Sequence, residues 1–132
     1  MCWSNDIAIP IVLKKPLRVY KVGISTMLGN FISLYQNFMY CRHKVMPTIK
    51  IIPEFTRKYN TKRLFLDIPG YDIFCICEGY HSYLTEEMAK YKRNICDDIG
   101  IFEIPAGATI YVNYRYQEVV STDIKYLGPL EV

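Results

Sequence analysis

The sequence contains no uninterrupted apolar run of about 18 residues, the length a membrane-spanning helix requires. It also lacks a G-x-S-x-G elbow, a phosphate-cradling P-loop, a G-x-G-x-x-G turn and an H-E-x-x-H helix. None of the short motifs with a known mechanical basis for nucleophilic, nucleotide or zinc chemistry is therefore present. Histidine is confined to His43 and His81. The five cysteines, Cys2, Cys41, Cys75, Cys77 and Cys96, are odd in number and stand mostly in apolar or mixed surroundings. That pattern argues against a disulfide scaffold and for free thiols in a reducing compartment. In the opening MCWSNDIAIPIVLKK the lysines follow the short apolar stretch, the reverse of a secretory leader, so the expected location is the cytoplasm.

What is abundant is apolar and aromatic surface. Hydrophobic residues make up 51% and charged residues 22% of the chain, a balance that can bury a core and is unlike that of a disordered protein. Its 132 residues suit a single domain, 1–132. Twelve tyrosines favour strands, because flat and β-branched side chains fit a pleated surface. The expected fold class is α+β, mainly short antiparallel strands with one clear helix.

Charge is divided between the halves. Residues 1–63 hold eleven Lys and Arg against Asp6 and Glu54, a balance of +9, whereas residues 64–132 hold five against eleven acids, a balance of −6. Either the halves attract each other and form solvated faces, or the basic half presents a surface to an acidic partner.

Leu17–Val22 alternates apolar and basic residues at period 2 and predicts a strand in which Leu17, Val19 and Lys21 share a face. Ile9–Leu13 contains Pro10 and predicts an edge strand. Phe31, Leu34, Tyr35, Phe38 and Met39 recur at helical spacing and suggest a short helical turn within a loop at about 31–39. Ile49–Ile52 and Leu64–Ile68 predict strands, the latter turning at Pro69-Gly70 into Tyr71–Cys77. The helix is expected at Thr85–Arg93. Thr85 can cap it, Glu86 and Glu87 suit its N-terminal end, Lys90, Lys92 and Arg93 suit its C-terminal end, and Leu84, Met88 and Tyr91 would form its inner stripe. Strands follow at Ile101–Ile104, Thr109–Asn113, Glu118–Val120 and Ile124–Leu127, with Pro105-Ala106-Gly107 turning the first into the second.

Three sets of residues are candidates for function. Cys41 and His43, with Cys75, Cys77 and His81, carry thiolate and imidazole ligands for zinc, although two-residue spacing along an apolar strand is also what small core hydrophobes show. No metal or cofactor is expected on that ground. His81 lies in the polar, aromatic stretch Glu78–Tyr83, read as a loop before the helix, with Tyr80, Tyr83 and Glu118 as companions in acid–base work; the plainer alternative is that His81 and Ser82 satisfy backbone groups at the helix entrance. Arg57, Lys58, Lys62 and Arg63 form the basic cluster expected to contact a partner. Nucleic acid is a secondary candidate, since basic and aromatic residues alternate but the pI of about 8.5 falls below the level of about 9 typical of such domains.

The stretches GYHSYLTEEMAKY at 79–91 and IFEIPAGATIYVNYRYQEVVSTDIKYLG at 101–128 resemble small uncharacterised proteins of bacteriophages and mobile elements of gut bacteria. The resemblance implies no activity. It is consistent with a non-enzymatic protein that binds a host protein in the bacterial cytoplasm, inhibition of a defence system being one form. The same tail is similar to the last strands of the ADP-ribosyltransferase fold, which implies, as an alternative, an NAD-using transferase with His81, Tyr83 and Glu118 as its residues. No Glu-x-Glu is present, and Arg18 lies too close to Ser25-Thr26 for that family's pattern. A virion or assembly component is a further alternative and predicts stable self-association.

Overall fold

The computed structural model describes residues 2–4, 10–34, 38–51, 54–59, 71–75 and 79–130. Antiparallel strands dominate and a single short helix accompanies them among the described residues, a mixed α+β fold of low helix content. The strands are β1 (Cys2–Ser4), β2 (Ile11–Val12), β3 (Leu17–Ser25), β4 (Asn30–Ser33), β5 (Met39–Cys41), β6 (Glu54–Tyr59), β7 (Tyr71–Cys75), β8 (Tyr80–Tyr83), β9 (Asp98–Ile104), β10 (Thr109–Asn113), β11 (Glu118–Ser121) and β12 (Lys125–Pro129). The helix α1 spans Glu86–Lys92. β1, β7 and β6 form one three-stranded sheet and the other nine strands a second.

The larger sheet is organised by β3. One edge of β3 pairs with β9 from Leu17↔Ile104 to Gly23↔Asp98. The other edge is shared: β8 meets it at Tyr20↔Tyr83, and β4 takes over at Gly23↔Ser33. Beyond β8 the sheet continues through β11 and β10 to β2. Beyond β4 it continues to β5, and the chain after β5 returns to β12 by bridges at Arg42↔Tyr126 and Val45↔Lys125. Since β12 pairs with β9, the strands β3, β4, β5, β12 and β9 close into a ring. Closure removes the open edge each would otherwise present. Arg42 reinforces it by donating from Nε to the Leu127 carbonyl at 2.9 Å, over a bulge in β12 at Gly128.

Period 2 decides what fills the ring. Val19, Phe102 and Tyr126 are cross-strand neighbours, as are Phe31 and Tyr40, and all five are essentially inaccessible. Phe102 meets Tyr40 edge-on at 5.1 Å and lies 5.0 Å from Tyr126, inside the range in which aromatic pairs add to simple burial. Room for the Phe31 ring comes from two glycines: a Cβ on Gly23 would lie 2.7 Å from that ring and 2.2 Å from the Ile32 carbonyl, and one on Gly100 would lie 2.9 Å from the same ring. On the outside of the ring Arg18, Glu103 and Lys125 stand side by side, and Lys125 pairs with Glu103 at 3.5 Å.

Several expected elements are found. β3 covers the strand that alternation predicts, β10 matches the strand expected at Thr109–Asn113, and α1 starts from Thr85, whose side chain accepts from the Met88 N–H. β7, β9 and β11 likewise cover expected strands over their described residues, β12 covers all but Ile124 of the last one, and β2 is the expected edge strand, whereas other expectations are corrected. Residues 30–33 and 39–41 are strands, because cross-strand pairing of Phe31 with Tyr40 overrides the helical spacing there; Leu34 lies in a turn, and residues 35–37 of the expected helical turn lie outside the described residues. The loop expected over Glu78–Tyr83 is replaced at Tyr80–Tyr83 by a strand held by β11, and Glu78 lies outside the described residues. Ala89 rather than Tyr91 is the buried residue of α1, and Tyr91 is 80% exposed. Residues 46–51 run beside the β11–β12 connection without forming a strand, with Met46 and Ile49 donating to the carbonyls of Ile124 and Thr122. Leu64–Ile68 and its turn lie outside the described residues.

Candidate functional site

Where β3 parts from β8 and takes up β4, a cavity of about 200 Å³ opens beneath the C-terminal end of α1. Its floor is built by Lys21 of β3, Ser33 of β4 and the run His81, Ser82, Tyr83 of β8, and Lys92 stands on its rim. Asp97, which accepts from the Asn94 N–H at 3.1 Å, also borders it, and Val22 and Leu34 supply apolar wall.

Lys21 is the most unusual residue of the fold. It follows Val19 on the inward face of β3 and is 5% exposed. Its ammonium donates to the His81 carbonyl and lies 5.2 Å from the Tyr40 ring and 5.7 Å from the Phe102 ring. Ring faces stabilise a buried cation by about 1 kcal/mol each. No carboxylate pairs with it among the described residues. Withdrawing an ammonium from water without such a partner costs several kcal/mol, and burial accordingly pulls the Lys21 pKa down from 10.5 to about 7. The amine is therefore divided between charged and neutral forms near neutral pH.

Ser82 lies beside it. Since Tyr20 opposes Tyr83, the antiparallel register sets Ser82 across from Lys21 on the same face. Ser82 is 3% exposed and its hydroxyl has no hydrogen-bond partner among the described residues, a state that costs about 1–3 kcal/mol in a buried position.

On the opposite face of β8 the fold brings His81, Tyr83 and Glu118 together. His81 and Tyr83 are two residues apart on one strand, and Glu118 of β11 is directly across from Tyr83. Burial raises the Glu118 carboxyl above the usual carboxylate range, opposed by the Lys92 ammonium. Burial and the neighbouring Glu118 raise the Tyr83 phenol. His81 and Tyr83 border the cavity, whereas Glu118 is not among its lining residues.

The other sets are dispersed. Cys41 ends β5, His43 occupies an exposed left-handed turn at φ 62° and Cys75 belongs to the three-stranded sheet, while Cys77 lies outside the described residues. Among the described residues no three His, Cys, Asp or Glu gather as a metal would require. Arg57 and Lys58 are consecutive in β6, and Lys62 and Arg63 lie outside the described residues.

Sequence reasoning placed Lys21 on the inward face but passed over it, and Ser82, as site residues. The signal was a lone lysine at an apolar period-2 position between Val19 and Gly23. Its weight depends on closure of the ring, which rests on pairings between distant segments. Compared with models of protein families, with curated proteins and with solved structures, the chain matches none.

Proposed function

We propose that the chain is a non-enzymatic binding module of phage or mobile-element type, which acts in the bacterial cytoplasm by covering a site on a host protein, a component of a defence system being one such target. The observation that carries this reading is an apolar ladder on the outside of the ring. Ile24, Ile32 and Met39 are cross-strand neighbours on β3, β4 and β5, with Ile24 47% and Met39 54% exposed. Met27 and Leu28, at the tip of the β3–β4 hairpin, extend the ladder into solvent. Adjacent exposed apolar side chains of this kind mark protein contacts, and methionine adapts to irregular surfaces. Beside the ladder stand the exposed Arg42, His43 and Lys44. The complementary partner is a protein surface with an apolar centre and an acidic rim.

The test compares tagged wild type with a Met27→Asp, Leu28→Asp double variant in nuclease-treated bacterial lysate. One dominant host protein is expected on the wild type, with at least about tenfold less on the variant, the size of loss that follows from removing an interface anchor. Equal retention by both proteins, or retention that disappears with nuclease, would refute the reading.

The transferase alternative draws support from the placement of Glu118 opposite Tyr83. A cavity of about 200 Å³ is nevertheless smaller than the roughly 300–1,000 Å³ usual for a drug-sized ligand, and a dinucleotide is larger still. The binding reading therefore stands first.

A further inference from the structure

Beyond partner binding, we propose that the cavity at the parting of β3, β4 and β8 is a ligand site for a carboxylate carried on a short apolar stem, held by the Lys21 ammonium and the Ser82 hydroxyl. Two buried groups there have donor capacity to spare. Lys21 carries three N–H bonds, of which one is used on the His81 carbonyl, and the two rings beside it accept no conventional hydrogen bond. Ser82, its cross-strand neighbour, is buried with an unused hydroxyl. Both residues line the same cavity. A carboxylate supplies the missing acceptors, one oxygen to the ammonium and the other to the hydroxyl, and neutralises the buried charge.

The size and walls of the cavity narrow the ligand. Val22 and Leu34 in the lining suit an apolar stem, and about 200 Å³ admits a chain of a few carbons rather than a sugar phosphate or a nucleotide. Since the Asp97 carboxylate borders the cavity as well as Lys92, the surroundings favour a single negative charge over the two of a phosphate monoester. Such a carboxylate can come from a free short-chain acid or from a glutamate side chain of a bound protein.

The experiment titrates the full chain with three probes, butyrate, N-acetyl-glutamate amide and the neutral isostere butyramide, and follows the Lys21 side-chain resonances by NMR. Saturable binding of at least one acid is expected, with butyramide at least about tenfold weaker, as loss of a charge-assisted hydrogen bond implies. Tighter binding of butyrate assigns the site to a free acid, and tighter binding of N-acetyl-glutamate amide assigns it to a protein side chain. Thermal-shift titrations, which need no Lys21 signal, should show a loss of about tenfold or more in Lys21→Met and of several-fold in Ser82→Ala, a substitution that removes one oxygen atom from the fold. The proposal is overturned if neither acid saturates below about 50 mM, a range weaker than useful recognition. Equal binding of butyramide, or unchanged acid binding in both variants, would overturn it as well. Met27 and Leu28 are not part of the cavity lining, so the outcome is independent of the partner-binding test.

Discussion

The two faces of the β3–β4–β5 segment reverse the usual arrangement of polarity. Inside the ring, where apolar residues belong, stand Lys21, at 5% exposure, and Ser33. Outside it, where polar residues belong, stand Ile24, Met39 and the hairpin tip Met27-Leu28, of which Met27 is fully exposed. Both inversions occur on the same strands, a few residues apart. Each costs free energy in the isolated protein, through desolvation of a charge in one case and hydration of apolar area in the other. On the proposed function and the proposed carboxylate site, recognition would recover both costs, with a partner covering the outer face and a carboxylate entering the inner one. The contrast also separates two kinds of site: a broad apolar surface suited to a protein and a small polar cavity suited to one functional group.

The hardest way to break the contrast is to separate the strands that hold both faces. Gly23→Ala sets a Cβ 2.2 Å from the Ile32 carbonyl, a backbone atom that can yield only if β4 moves. A loss of about 3 kcal/mol is expected in urea denaturation, the upper end of overpacking costs, together with loss of both binding activities.

Removing the inner inversion should have the opposite sign. Lys21→Met keeps the apolar stem and deletes the charge, and a gain of about 2 kcal/mol is expected at pH 6, in line with apolar replacement of buried ions. The folded pKa, about 7, lies below the ordinary 10.5, so between these values the unfolded chain binds the extra proton. The wild type therefore gains stability as pH rises through that window, and its whole desolvation penalty is present below it. The other ionisable groups near the ammonium are His81 and Tyr83 of β8, Tyr40 of β5, Lys92 of α1 and Asp97 before β9. Subtracting the profile of Lys21→Met isolates the lysine from them, and the advantage of the variant should shrink as pH rises from 7 to 10 in thermal melts. The smallest effect on stability belongs to the outer face. The Met27→Asp, Leu28→Asp variant should unfold within about 0.5 kcal/mol of wild type, as exposed substitutions do, although it fails to retain the partner.

How far these features could be read from the sequence depended on locality. The helix was legible because its signals, the Thr85 cap and the graded charges, lie within eight residues of one another. β3 was legible because alternation is local, and the face shared by Val19 and Lys21 was read correctly. The β4–β5 hairpin was not, because Phe31, Leu34, Tyr35 and Phe38 also satisfy helical spacing, and only the pairing of Phe31 with Tyr40 decides between the two. Nor was the cavity. It requires β8, some 60 residues along the chain, to meet β3 at Tyr20 and stop there. His81 and Glu118 drew attention as titratable residues in a polar stretch, whereas Lys21 is unusual only by its burial, which follows from closure of the ring.

The inner inversion can be measured directly by an NMR titration of the Lys21 side chain, labelled with carbon-13 at Cε, in the ligand-free protein. A midpoint of about 7 is expected for an ammonium enclosed by Tyr40, Phe102 and the His81 carbonyl. A midpoint at the ordinary 10.5 would mean that the ammonium is solvated, and neither the contrast between the two faces nor the carboxylate site would survive it.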